Sequence, residues 1–271
     1  MKIFKKNAGW LALFLAIVFC ISVLYKPHTL KAFFYPYFKN VQYQWILFKT
    51  RDYDEIETEH FKIRYHANDN IAKLVAEAAE ENYSAVCKMF DYYPEQKTTV
   101  IVYDNAEQMM KNINLSKEKP PMGAYLASTI QILSPELWIS DKENMRNIFL
   151  KEGPMVHEFT HLLVDDLAKN NYPLWLTEGI ALYQEYIQTG YEWGKNLSYP
   201  EETYTIAQLT NEFHKLDESL AYKRSFEIVK AIVEDKGFES LNQLIRALGE
   251  GKSLRQASIQ VLGAPIEAFY E

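Results

Sequence analysis

Polar and apolar residues alternate over residues 60–65 (HFKIRY), so that Phe61, Ile63 and Tyr65 share one face, and this period of two predicts a strand. The period then lengthens. From Asp69 to Phe90 the apolar residues Ile71, Leu74, Val75, Ala78, Ala79, Val86, Met89 and Phe90 recur at helical spacing, with Asp69 as the expected cap. The β-branched run TTVIVY at 98–103 predicts a buried strand, followed by a short helix opening near Asp104 and a loop over 117–121. A further strand is expected at 129–133 (TIQIL), ended by Ser134 and Pro135.

Beyond that point strand patterns do not return. Asp141 is the expected cap of one helix, and Gly153-Pro154 punctuates the chain ahead of another. Pro154 suits a first helical turn, and Asn170, Asn171 and Pro173 stop that helix near Lys169. Helical patterns follow at 175–188, 205–215, 219–236, 240–248 and 253–261. Strands mixed with helices, then helices alone, predict an α+β chain with two lobes. No internal repeat or low-complexity tract interrupts it.

Ahead of these patterns lies a different kind of sequence. Residues 9–24 (GWLALFLAIVFCISVL) carry no charge and follow Lys2, Lys5 and Lys6, with Trp10 and Tyr25 at the two ends. The stretch is at the short edge of what crosses a bilayer of roughly 30 Å. A cleaved leader would need a small-x-small site, whereas the exit reads Ser22-Val23-Leu24-Tyr25-Lys26-Pro27. Residues 1–8 are therefore expected to be a basic tail, 9–25 a transmembrane signal anchor, 26–57 a juxtamembrane segment and 58–271 the folded body. Lysines flank both sides of the span, so they do not orient it. The default for a single span with a short basic tail sets the body outside the cytoplasm. Residues 25–48 hold nine of the 39 aromatic residues together with lysines, which suits the headgroup region of a bilayer. Equally, residues 41–48 read as the first packed element of the body.

Charge sharpens this division. Residues 1–49 carry seven lysines and no acid, whereas the remaining 222 residues have a net charge of −14. Such an acidic body excludes nucleic-acid binding by clustered Lys and Arg. The two cysteines, Cys20 and Cys87, make no disulfide framework, and Cys87 within a helical pattern reads as packing.

The chemistry concentrates at residues 157–161, HEFTH. His157 and His161 stand four apart on a predicted helix, on one face and one turn apart, where two imidazoles can share an ion. Glu158 is rotated from His157 by about 100°, near enough to reach a metal-bound water without being forced to ligate. Phe159, Leu162 and Leu163 give the same helix a packed side. Seventeen residues after His161, Glu178 lies within WLTEGIALY at 175–183. The intervening turn allows the second helix to run back along the first, with Gly179 and Ala181 easing their approach. Two histidines and one carboxylate leave a fourth position open, as in a catalytic zinc site.

With these paired motifs the chain resembles the gluzincin metallopeptidases, particularly the compact peptidase MA-like proteins, over about residues 58–262. The resemblance implies a thermolysin-like catalytic domain, an α/β lobe with a mixed sheet followed by a helical lobe. It further implies one Zn2+ per chain bound by His157, His161 and Glu178, with Glu158 as general base and a peptide or protein as substrate. Gluzincin aminopeptidases carry an oxyanion-stabilising tyrosine in a Tyr-x-Lys-Gly setting. Tyr222 stands in a comparable place, with Arg224 and Ser225 for the Lys and Gly. They also carry Gly-x-Met-Glu-Asn on a substrate-binding edge strand, where this chain reads Gly123-Ala124-Tyr125-Leu126-Ala127. Leu126 takes the place of the glutamate that binds a free amino terminus, which points to endopeptidase-like or undefined peptide specificity and away from an aminopeptidase.

The expectation is a membrane-anchored zinc metallopeptidase; the alternative is a catalytically silent scaffold of the same fold. The strand at 129–133 is the expected edge on which an extended peptide adds by strand pairing. Asp165, one turn beyond His161, reads either as an orienting partner for a ligand imidazole or as a solvated charge. His28, His60, His66 and His214 have no partner at ligand spacing and read as surface or packing residues.

Overall fold

The computed structural model describes residues 27–66, 68–115, 119–200 and 202–270. The anchor expected at 9–25 lies outside them. Among the described residues, no helix is long and apolar enough to cross a membrane.

The expected strands form the middle of a five-stranded sheet in the order β1-β2-β3-β5-β4. Three of them, β2 (Phe61–Tyr65), β3 (Thr98–Tyr103) and β5 (Thr129–Leu133), run parallel, with Ile63 paired to Val100 and Val100 to Ile130. Two short antiparallel strands flank them, β1 (Asp54–Glu57) and β4 (Gly123–Leu126). The mixed sheet is thus as expected, but the edge is not. β5 is buried along its whole length between β3 and β4, so the strand open to pairing on that side is β4. Four residues of intermediate exposure give β4 no apolar run or clean alternation from which sequence could place it.

Side-chain alternation sorts the sheet's two faces. Phe61, Ile63, Val100, Val102, Ile130 and Ile132 point into the main core with α2 (Asp69–Phe90) and the metal-motif helix. Ile101, Tyr103 and Leu133 point the other way, onto Met109 of α3 (Ala106–Asn112) and Ile46 of α1 (Pro27–Lys49). Helix α1 is longer than the packed element expected at 41–48. The cap of α2 is Asn68, whose side-chain Oδ1 accepts from Asn70 and Ile71 N–H; Asp69 instead accepts from the Tyr65 hydroxyl.

The second half is helical: α4 (Met145–Glu152), α5 (Met155–Ala168), α6 (Leu174–Thr189), α7 (Ile206–Glu212), α8 (Glu218–Lys236), α9 (Phe238–Gly249), α10 (Leu254–Leu262) and α11 (Glu267–Tyr270). Thr205 and Ser253 open α7 and α10 with capping boxes. One continuous cluster of buried side chains runs from Phe61 to Ile266, so the sheet and the helices share a core.

Candidate metal centre

Helix α5 ends at Lys169, which adopts left-handed backbone (φ 52°) and returns its N–H to the Asp165 carbonyl; Asn170 follows at φ 56°. The Asn171 side chain secures the turn by donating to the carbonyls of Leu248 and Lys252 at 2.7 and 2.9 Å. The chain therefore doubles back. His161 meets Thr177 early in α6, while His157, a turn earlier in α5, meets Glu178 and Glu185 farther along it, the pattern of antiparallel helices.

The ligand atoms of His157, His161 and Glu178 all lie within 4.8 Å of one another. Glu178 Oε2 stands 3.3 Å from His157 Nε2 and 3.5 Å from His161 Nε2. Bonds of about 2.0 Å at tetrahedral angles would separate adjacent donors by about 3.3 Å, so this set fits a zinc-sized ion. The electrostatics agree. Burial alone would raise the Glu178 carboxyl, but the imidazoles of His161 and His157 hold it well below the usual carboxylate range. Burial likewise opposes protonation of His157, yet Glu178 and Glu185 outweigh it and lift its pKa well above the ordinary histidine value.

Each imidazole has an outer partner on α6. His161 Nδ1 lies 2.7 Å from Thr177 Oγ1, and His157 Nδ1 lies 3.5 Å from Glu185 Oε2. With Nε2 of each ring turned toward Glu178, His161 Nδ1 is placed to donate to Thr177 Oγ1, which fixes that ring's tautomer and orientation, and Glu185 stands beside His157 Nδ1 as its ionic partner. The sequence reading missed both residues. Their signal is positional: Thr177 precedes Glu178, and Glu185 follows it by seven, two turns along the same helix.

Asp165 performs neither role expected of it. It is 1% exposed, and its carboxylate accepts hydrogen bonds from Tyr35, Tyr125 and Tyr172 at 2.8, 2.7 and 3.1 Å and pairs with Lys39 at 2.7 Å. These partners come from α1, β4 and the turn after α5, so Asp165 joins three segments and is not directed at His161.

Glu158 is buried beside this cluster, and that burial raises its pKa from the ordinary carboxylate value. Its neighbour is β4. A Cβ added to Gly123 would stand 2.8 Å from Glu158 Cγ and 2.9 Å from its Oε1, so a glycine is required for the strand to pass this close. Tyr222, near the start of α8, lies next to Glu178. Burial, followed by the charge of Glu178, pushes its phenol pKa up. Gly179 has a different task from the one expected. A Cβ there would meet the Ser225 carbonyl oxygen at 2.3 Å, so the close approach that it permits is between α6 and α8, not between α6 and α5. That contact sets Tyr222, one turn before Ser225, next to Glu178.

The family model of the peptidase MA superfamily matches residues 78–270. The chain belongs to that superfamily. The match spans HEFTH, Glu178 and Tyr222, in keeping with the gluzincin resemblance, and leaves α1, β1 and β2 outside it. No curated protein matches the sequence. In this peptidase MA chain, the helices that bear the metal motif and Tyr222 therefore lie in the matched region, and the helix that Asp165 ties to them does not.

Proposed function

We propose that the protein is a membrane-anchored, zinc-dependent peptidase, held by the segment at 9–25 with its body outside the cytoplasm. The carrying observation is the convergence of His157, His161 and Glu178 on one point, flanked by the buried Glu158 and the half-buried Tyr222. A zinc ion held by these three ligands would polarise the scissile carbonyl and lower the pKa of the attacking water. Glu158 accepts the proton of that water and returns it to the leaving amine; its raised pKa suits an acid that must be re-formed within each turnover. The Tyr222 hydroxyl, beside Glu178, donates to the oxyanion. An extended substrate pairs with the edge strand β4, where Gly123 brings its backbone against Glu158. Leu126 on that strand offers no carboxylate to a free amino terminus, which favours internal peptide bonds.

The deciding experiment compares the detergent-solubilised protein with its Glu158→Gln variant in zinc content and in cleavage of an unbiased peptide library. One zinc per chain in both, with hydrolysis confined to the unsubstituted protein, is the expected result. Hydrolysis that survives the substitution would remove Glu158 as the base. Zinc without any cleavage in either would identify a silent scaffold.

A further inference from the structure

We propose that the outward face of α1 is a membrane-docking surface that lays the catalytic body against a lipid bilayer. The inference rests on the anchor proposed above and adds an orientation to it. Of fourteen large hydrophobic side chains exposed among the described residues, seven lie on α1. Phe33, Tyr37, Val41, Trp45 and Phe48 recur at spacings of three and four and, with Phe38 three residues before Val41, line one side of the helix, each between 55% and 68% exposed. A soluble surface rarely carries a contiguous aromatic stripe of this length without something to cover it.

The opposite side of α1 is already taken. Ala32, Lys39, Ile46 and, just past the helix, Thr50 are buried, and Tyr35 reaches Asp165. Tyr43 Oη lies 3.1 Å from Thr99 Oγ1 on β3, and His28 Nδ1 lies 2.8 Å from Asn171 Oδ1. The helix is therefore a fixed part of the body and not a loose tether. Whatever the aromatic stripe touches determines how the whole body is oriented.

Three observations select a bilayer as that occupant. The uncharged stretch at 9–24 is separated from α1 by only Tyr25 and Lys26, so α1 begins where a membrane segment would leave the bilayer. The rim is basic: Lys49 sits over the Trp45 ring at 5.6 Å and Arg51 over the Phe48 ring at 4.3 Å. Aromatic rings interleaved with cations match the chemistry of the headgroup layer. Finally, residues 27–51 contain no acid although the body is strongly acidic. Pairing α1 with its own copy would bring basic groups together without a carboxylate on either helix, whereas lipid phosphates neutralise them.

The test uses the full chain with Cys20→Ser, reconstituted into liposomes of phosphatidylethanolamine and phosphatidylglycerol; Cys87 is fully buried and stays. An environment-sensitive fluorophore is attached at Val41→Cys or Phe38→Cys, and as a control at Ile187→Cys. Ile187 is exposed on α6, about 20 Å along the helix from its start near Tyr172. The expected result is blue-shifted emission at positions 38 and 41 that spin-labelled lipids quench, with water-like, unquenched emission at 187. Water-like emission at 38 and 41 in a chain that floats with the liposomes would overturn the docking surface alone. A blue shift that lipid quenchers do not touch would overturn it in favour of a protein contact. A chain that fails to float would overturn both docking and anchor.

Discussion

Two side chains on α6, Thr177 and Glu185, frame the candidate metal site without belonging to its His-His-Glu cluster. Each faces the Nδ1 of one ligand histidine, and each is replaceable without touching a ligand atom. Thr177→Val keeps the shape but removes the acceptor for His161 Nδ1; zinc affinity, read by chelator competition, should fall by about 10- to 100-fold. Tyr222→Phe should leave zinc content unchanged and lower kcat by about 10²- to 10³-fold, the range for losing one oxyanion donor. An equal loss of zinc in that variant would instead make Tyr222 a support for Glu178. The clustering of His157, His161 and Glu178 was legible in sequence because HEFTH sets two histidines one helical turn apart and WLTEGIALY is recognisable beside it. Thr177 and Glu185 were not, since a threonine and a glutamate on a helix become informative only once the facing imidazoles are placed.

At the scale of elements, helix-to-helix distance does the positioning. Gly179 lets α6 approach the Ser225 carbonyl on α8 more closely than any Cβ allows. Gly179→Ala should therefore force the two helices apart, lower stability by about 1–3 kcal/mol and move Tyr222 away from Glu178. Thermal unfolding and zinc-loaded turnover would read the two effects separately, and a variant with unchanged melting would show that the approach is not tight. The helices themselves were legible, because apolar spacing, capping boxes at Thr205 and Ser253 and the stop after Lys169 are local signals. Which helix each glycine faces is not local. Gly179 was expected against α5 and lies against α8; β4, too short for a pattern, displaced β5 from the edge.

For the molecule as a whole, the junction at Asp165 matters most. A carboxylate with almost no solvent contact is held by one lysine and three phenols, and Lys39 also reaches Asp166 at 2.5 Å. Removing one member of a buried ion pair is commonly worth about 3–5 kcal/mol. Asp165→Asn should accordingly destabilise the protein by an amount of that order, measured by denaturant unfolding, and loosen α1 from β4 and the metal helix, seen as faster amide exchange in both. Unchanged unfolding would mean that the phenols carry the junction without the charge. Taken by itself, the sequence determined the helices and central strands, the membrane-like and acidic ends, and the grouping of His157, His161 and Glu178, because hydrophobic period, charge and motif spacing are properties of neighbours along the chain. Only the tertiary structure decided that Asp165 serves α1 rather than His161, that β4 is the open edge and that α1 has one face bound and one exposed. Those facts depend on which distant segments the common core brings within a few ångströms, where burial turns an ordinary aspartate, glycine or phenylalanine into a specific part.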